Sequence, residues 1–562
     1  MRKLILGIVL LMTINFVVTA SETSVVNTDK AYNVSDIISY LQKNMPQYLK
    51  DQDISGASAV IVNKNGILWT KGFGHLSKNS KEAVNPETLF CVGSISKMFT
   101  TTGILIASQN GKIDINKSIK YYLPKFRIKS RFSNTPTTQM TILDLLGFRS
   151  GITGSIQNDK ESPLLKQDIK DLENSWLRFP VGQRFAYSNP GYSLAGYILA
   201  QIEKTNFSKC IKKLVFSPLG MNSTTFDNTK IKKDKNRAIG YIPGVKKIYF
   251  TERPNGSAFS NAVDIGKFLK FQLNNGSING KQLLSDKNIN LTRTILNKGK
   301  YQNTGFALPD VVDNTSEGTL YRYSGLYHGY NSLILWYPKE DFGVGILTNK
   351  RNGLNNNFIP FLKYIYSKLG LNNYFNNYGK IELKKIITKS ISLKELKSWV
   401  GNYIDTGEGP IVTITFKNNQ IGILQNNKFD KLTYIGDNKF YSVKDEKLYK
   451  FIKGGKEYPK YILDMSNGGT WNYNDGPNLQ KGPDKPEWSK YVGNYNITYY
   501  NRPTLQVKFF IKNGYLYLHI FGGNLRLLEY KPGIFVTCSG HIIDFTSKPM
   551  LSNNCKMVKI NN

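Results

Sequence analysis

The fold class predicted for this sequence is a mixed α+β (α/β) body followed by small antiparallel β-barrels. Three observations lead there. The first part of the chain alternates strand-like and helix-like segments over more residues than one simple sandwich uses. A Lys/Asn-rich stretch, Asn372 to Lys389, then interrupts the pattern as a linker does. Beyond it, a short block of alternating strands occurs twice.

Length and composition set the outer limits. With 562 residues, at roughly 100–200 per domain, the chain holds more than one core. Aromatics make up 12% and charged residues 20%, which excludes wholesale disorder. Four cysteines are too few for a disulfide scaffold. Lys and Arg number 75 against 40 Asp and Glu, a net charge of +35. That excess favours anionic cell-wall or envelope surfaces. The lysines are nevertheless scattered among Asn, Ile and Tyr without a compact basic block, and no aromatic-plus-basic signature accompanies them. No nucleic-acid partner is therefore expected.

In chain order, the first element is Met1-Arg2-Lys3 and the uncharged run Leu4 to Val18, ending Val18-Thr19-Ala20. Residues 1–20 read as a secretory signal peptide, with an uncleaved anchor as the alternative. The protein is then periplasmic or secreted, with no stable membrane span once the signal is removed. Residues 30–375 form the mixed body. Within it, Ser58 to Val62, the Asn65-Gly66 turn and Ile67 to Thr70 read as a hairpin. Gly191 to Gln201 and Ile265 to Leu273 show helical apolar spacing, and Asp264 is expected to cap the second. Residues 376–392 are the linker. The repeat follows: Trp399-Val400-Gly401-Asn402-Tyr403 returns as Tyr491-Val492-Gly493-Asn494-Tyr495. Each copy leads into period-two strands around an Asn turn, Asn418-Asn419 in one and Asn513-Gly514 in the other. The reading is two barrels, residues 393–465 and 487–562, joined by a Gly/Asn/Pro-rich linker over 466–486; one continuous sandwich is the alternative.

Cys91, Cys210, Cys538 and Cys555 form no CxxC pair, and the four histidines form no HExxH. No metal and no cofactor is expected. Cys538 and Cys555 are near enough in sequence to pair in an oxidising compartment; two buried thiols are the alternative. The chain also lacks a G-x-S-x-G elbow and a G-x-x-x-x-G-K-[ST] loop.

What remains is Ser94-Ile95-Ser96-Lys97, an S-x-x-K ahead of the apolar run Met98 to Ile106. A serine hydroxyl needs a neighbouring base to become a nucleophile. Three residues apart on a helix, Lys97 would stand beside Ser94, and burial would lower its pKa enough to accept a proton. An isolated S-x-x-K fits a capping Ser and a surface Lys equally well. Two further segments change the balance. Tyr187-Ser188-Asn189 offers a phenol for proton relay and an amide to orient a substrate. Tyr323-Ser324-Gly325-Leu326 fits a strand edge whose backbone can line a site, Gly325 permitting close approach.

In this order and spacing the three elements resemble the serine hydrolases related to class C β-lactamases and penicillin-binding proteins. Flanking text agrees: Thr88-Leu89-Phe90, Asn110-Gly111-Lys112-Ile113, Tyr122-Leu123-Pro124, Leu145 to Gly151, Pro218-Leu219-Gly220-Met221 and Ser260 to Asp264. The similarity covers about Ile54 to Asn349. The paired barrels resemble lipocalin-like modules of D-aminopeptidase-like members.

The resemblance implies a β-lactamase/transpeptidase-like catalytic domain in which Ser94 is acylated, Lys97 is its base and Tyr187 passes the proton to the leaving group. Asn189 would hold the acyl side, and Tyr323, Ser324, Gly325 and Leu326 would line the substrate. The amides of Ser94 and Leu326 would form the oxyanion hole. Two positions depart from the family pattern. Tyr323 stands where Lys or His is usual, which removes a cation for a substrate carboxylate; alternation on a strand would turn the adjacent Arg322 to the other face. Phe148 replaces a usual His at a position read as structural. His328, as base of a Ser-His-Asp triad, is the rival arrangement. The expected function is an exported serine hydrolase of a small-molecule or peptide amide or ester, peptidase- or esterase-like. The alternatives are a β-lactamase or D-Ala-D-Ala carboxypeptidase acting on cell-wall peptides, and a catalytically idle binding protein.

Overall fold

The computed structural model describes residues 33–560 except 153–163, 242–251, 299–303, 373, 375–387 and short stretches farther on (406–410, 426, 443, 445–446, 454–459, 465–469, 477–478, 499–503, 521 and 553–554). The proposed signal, residues 1–20, and most of the 376–392 linker lie outside the described residues.

The body is built on an eight-stranded antiparallel sheet in the order β2-β1-β8-β7-β6-β5-β4-β3. Its strands are β1 Gly56–Val62, β2 Ile67–Gly74, β3 Asn297–Lys298, β4 Thr304–Phe306, β5 Val311–Asn314, β6 Thr319–Tyr327, β7 Tyr330–Tyr337 and β8 Phe342–Thr348. All seven residues of β1 are buried because both faces of the sheet are covered. Side chains alternate across a strand. Val60 and Val62 accordingly enter one core with Ile265, Phe268 and Ile334. Ala57, Ala59 and Ile61 enter another with Ile37, Leu41, Phe361 and Ile365.

The first core belongs to the long insertion between β2 and β3. It carries α2 Ser96–Gln109, α3 Asn189–Ile202 and α4 Ala262–Leu273. The second is closed by α1 Val34–Asp51 and α5 Ile359–Lys368, pinned by Tyr40 stacked on Tyr364 at 3.9 Å. Helix α2 is buried on every side from Ser96 to Ala107, so it runs through the middle of the insertion. The cap of α4 differs from expectation. Asn261 accepts the Asp264 amide, whereas Asp264 Oδ2 accepts the backbone N–H groups of Ser223 and Thr224.

The C-terminal part forms two closed eight-stranded antiparallel barrels, not one sandwich. The first comprises β9 Gly401–Asp405, β10 Ile411–Lys417, β11 Gln420–Gln425, β12 Lys428–Gly436, β13 Lys439–Ser442, β14 Lys447–Ile452, β15 Tyr461–Asp464 and β16 Thr470–Asp475. The second comprises β17 Gly493–Thr498, β18 Leu505–Lys512, β19 Tyr515–Ile520, β20 Gly523–Lys531, β21 Ile534–Thr537, β22 Ile542–Asp544, β23 Met550–Ser552 and β24 Cys555–Lys559. The sequence repeat has a structural meaning. Buried Tyr403 donates its hydroxyl to Trp399 O at 2.7 Å, and Tyr495 donates to Tyr491 O at 3.1 Å. Each barrel thus locks its first strand to the turn before it. Cys538 and Cys555 are buried thiols in the second core rather than a disulfide, which decides between the two expectations for them. Among the described residues no helix is long and apolar enough to cross a membrane.

Candidate active site

Ser94 lies in a tight 3₁₀ turn, Gly93–Ile95, that runs directly into α2. Gly93 has φ +54°, and a Cβ there would lie 2.6 Å from Leu326 N. Strand β6 is therefore pressed against the turn, and only glycine fits the conformation and the space. The contact is reciprocal: a Cβ on Gly325 would lie 1.9 Å from Val92 O. Ser332 Oγ, on β7, donates to the same Val92 carbonyl at 2.8 Å. This interlock places the amide of Leu326 beside the Ser94 turn.

Lys97 occupies the first turn of α2 and has no exposed surface. Its ammonium donates to three acceptors: Ser94 Oγ at 3.0 Å, Asn189 Oδ1 at 2.8 Å and Asn255 O at 2.6 Å. Burial pushes the Lys97 pKa below its ordinary value, with the Tyr187 phenol acting in the opposite direction. A buried amine with reduced affinity for its proton suits a base.

Tyr187 comes from the segment leading into α3. Ser188 caps that helix, accepting the Gly191 amide at 2.9 Å, and Pro190 sets its start. With Ser188 as cap, Asn189 is free to face Lys97. The Tyr187 hydroxyl shares a 2.7 Å hydrogen bond with Ser94 Oγ. Lys97 Nζ is 4.8 Å from the Tyr187 ring centroid. Burial alone would raise the phenol's pKa; the Lys97 charge and the hydrogen bonds around its oxygen bring it below the usual value. The serine hydroxyl thus sits between an amine and a phenol, each with its pKa below the ordinary value.

Along β6 the side chains alternate. Tyr323 and Gly325 point inward and are buried, while Ser324 and Leu326 are exposed. Burial raises the Tyr323 pKa well above that of a free phenol, so this position is neutral. Its buried hydroxyl interacts with the Tyr187 phenol, which adds to the rise. Arg322 turns away to Asp313 Oδ2, as the alternation required. His328 lies in the turn after β6 with its ring edge-on to Tyr327, whereas the partners of Ser94 are Lys97 and Tyr187.

Two contributors escaped sequence reasoning. One is the Asn255 carbonyl, a backbone atom that no residue-type pattern marks. The other is the contact that Phe148, buried as its structural reading implies, makes with Tyr187. Phe148 adopts φ +57° and is fully buried. Its ring stacks on Tyr187 with centroids 4.7 Å apart. The departure from His at this position was the available signal. Among the described residues no group of three or more His, Cys, Asp and Glu is arranged to hold a metal.

Comparison with known proteins supplies the family. A family model described as Beta-lactamase matches residues 41–358, more than half of the chain. The chain belongs to the β-lactamase family. Members of this family are in general serine hydrolases, although some are catalytically inactive. Among its relatives is Protein flp of Staphylococcus aureus (strain NCTC 8325 / PS 47), 29% identical over 325 residues. That match spans 56% of this chain and 62% of the relative's length. The octameric penicillin-binding protein homologue from Pyrococcus abyssi aligns with a TM-score of 0.52 at 20% identity, over 88% of this chain and all of that one. The structure of SurE with D-Leu aligns with a TM-score of 0.56 at 16% identity, covering 78% and 99%. These structures share the fold.

Proposed function

We propose that this protein is an exported serine hydrolase that cleaves amide or ester bonds through an acyl-enzyme on Ser94. The observation that carries the reading is the position of Ser94 Oγ, 3.0 Å from Lys97 Nζ and 2.7 Å from the Tyr187 hydroxyl. In the neutral state Lys97 takes the Ser94 proton as the oxygen attacks the substrate carbonyl. The developing oxyanion lies toward the amides of Ser94 and Leu326, a stabilisation of about 3 kcal/mol per donor in comparable sites. Tyr187 hands a proton to the departing amine or alcohol and recovers one from the water that later cleaves the ester, and Lys97 returns its proton to Ser94 as the acid is released. Asn189, tied to Lys97, keeps its amide N–H groups for the acyl side of the substrate.

Tyr323 narrows the substrate. A neutral phenol offers a hydrogen bond but no charge, so a substrate carboxylate gains little there. This favours uncharged esters and amides, peptidase- or esterase-like, over β-lactams and carboxylate-terminated cell-wall peptides. Reading residues 1–20 as a secretory signal supports a reaction outside the cytoplasm, and the cationic composition suits an anionic envelope.

Labelling with a fluorophosphonate and with a fluorescent penicillin, followed by peptide mass spectrometry, tests the reading. A fluorophosphonate adduct on Ser94, lost in Ser94→Ala, supports it; an unmodified Ser94 peptide with both reagents identifies an idle binding protein. Rapid penicillin acylation and turnover would favour the β-lactamase reading instead. Tyr323→Lys is expected to improve recognition of carboxylate-bearing substrates, and an unchanged preference would remove the Tyr323 argument.

A further inference from the structure

The segment that delivers Tyr187 to the site is gripped by the second barrel. Trp176 donates its indole N–H to Asp544 Oδ2 at 3.2 Å, and its ring packs in one buried cluster with Val536 and Ile542 of β21 and β22. Two residues on, Arg178 Nε donates to Ser539 O at 2.9 Å. The approach is close: a Cβ on Gly540 (φ +84°) would lie 2.9 Å from Arg178 O. Lys129 adds an ammonium 3.5 Å from Asp544 and 3.1 Å from Ser547 Oγ. Asp544 also accepts the hydroxyls of Thr546 and Ser547, so its carboxylate is shared between the barrel's own turn and the body.

From this anchor a backbone ladder runs to the phenol. Arg178 N donates to Gly151 O at 2.9 Å, Gly182 N to Arg149 O at 2.7 Å and Ala186 N to Phe148 O at 2.7 Å. Arg149 ties the same two segments by donating from Nε to Gly182 O at 3.1 Å. The last rung holds Phe148, whose ring stacks on Tyr187. Tyr187 itself is 40% exposed, and its contacts are the Phe148 ring, Ser94 and Lys97.

We propose that the second barrel is a positioning element for catalysis. Its turn at Ser539–Gly540 and its Asp544 carboxylate seat the Trp176–Arg178 segment, and the rungs to Gly151, Arg149 and Phe148 carry that placement to the Tyr187 hydroxyl. Trp176 and Asp544 touch neither Ser94 nor Lys97; they are positioning residues. The inference rests on the reading of Tyr187 as the proton carrier. A displacement of about 1 Å in a reacting group can cost up to about a hundredfold in rate.

The test uses the full chain with Trp176→Ala, Asp544→Ala and Lys129→Met, assayed for ester kcat and KM and for fluorophosphonate labelling of Ser94. Trp176→Ala and Asp544→Ala are expected to lower kcat and the labelling rate about tenfold or more, with KM within about twofold. Trp176→Phe, which restores the packing on Val536 and Ile542, should recover part of the rate. Lys129→Met leaves the buried indole in place and should give a smaller loss of the same kind; it also serves if the other two variants fail to fold. Rates within twofold of wild type in all folded variants overturn the positioning role and leave the Ser94 chemistry standing. A fall in kcat and KM together, with no rescue by Trp176→Phe, also overturns it. Absence of Ser94 labelling in the wild type overturns the catalytic reading and this inference with it.

Discussion

Replacing Lys97 with Met keeps the length of the stem inside α2 and deletes the amine. Three hydrogen bonds disappear, at 3.0, 2.8 and 2.6 Å. Loss of the base is expected to reduce Ser94 acylation by about 10²–10⁴-fold. Stability responds to two opposed terms. The Asn255 carbonyl and Asn189 amide oxygen lose a donor, at about 1–3 kcal/mol each if they stay buried and unpaired. Against this, Met removes a group whose burial opposes its own charging. The sign follows from linkage: with a folded-state pKa below the unfolded value of 10.5, the unfolded chain binds more protons as pH falls from 10.5 toward the folded value. Wild type therefore loses stability over that window, by about 1.4 kcal/mol for each unit of depression, and Lys97→Met does not. Relative to wild type the variant should be most stable at low pH, with the advantage shrinking toward pH 10.5. The assay is the fluorophosphonate labelling rate of Ser94 against pH, with denaturation followed in parallel. Labelling of Lys97→Met within threefold of wild type would refute the base assignment. A wild-type rate half-maximal only at pH 10.5, with parallel stability slopes, would refute the buried-amine argument.

Three other substitutions probe the same geometry. Tyr187→Phe keeps the ring on Phe148 but removes the 2.7 Å contact with Ser94; ester kcat should fall by about 10²-fold while the melting temperature stays within a few degrees. Phe148→Ala empties a fully buried ring site and should cost about 3–5 kcal/mol by denaturant titration, with slower Ser94 labelling as the phenol loosens. Gly325→Ala drives a methyl to within 1.9 Å of Val92 O, so it should abolish labelling even where soluble protein is recovered, as read by mass spectrometry of the Ser94 peptide.

Much of this was legible in the sequence because it is local. The Asn65-Gly66 turn between two apolar runs specifies the β1–β2 hairpin, and the period-two strands after each Gly-Asn-Tyr specify the barrels. The pairing of Ser94 with Lys97 follows from helical spacing. What escaped depends on chain-distant partners. Asp264 binds Ser223 and Thr224, which no local capping rule anticipates, and Asn261 takes the cap. Phe148 looked structural because nothing near it in sequence announces Tyr187 as its stacking partner. Likewise Trp176 meets Asp544, 368 residues away in sequence. The state of Cys538 and Cys555 depended on how the second barrel packs, which their spacing leaves open.

Closure of the two barrels also governs how copies of the chain can meet. A rolled sheet has no unpaired border onto which a neighbour's strand could zip. The eight-stranded sheet of the body ends at β2 and at β3, the latter only the dipeptide Asn297–Lys298. Along β2, the stretch around Val84 lies so near that a methyl on Gly72 would meet the Val84 carbonyl at 2.1 Å. Strand pairing between copies is thereby disfavoured at the barrels and along β2, and the strongly cationic composition keeps crowded molecules apart at low salt.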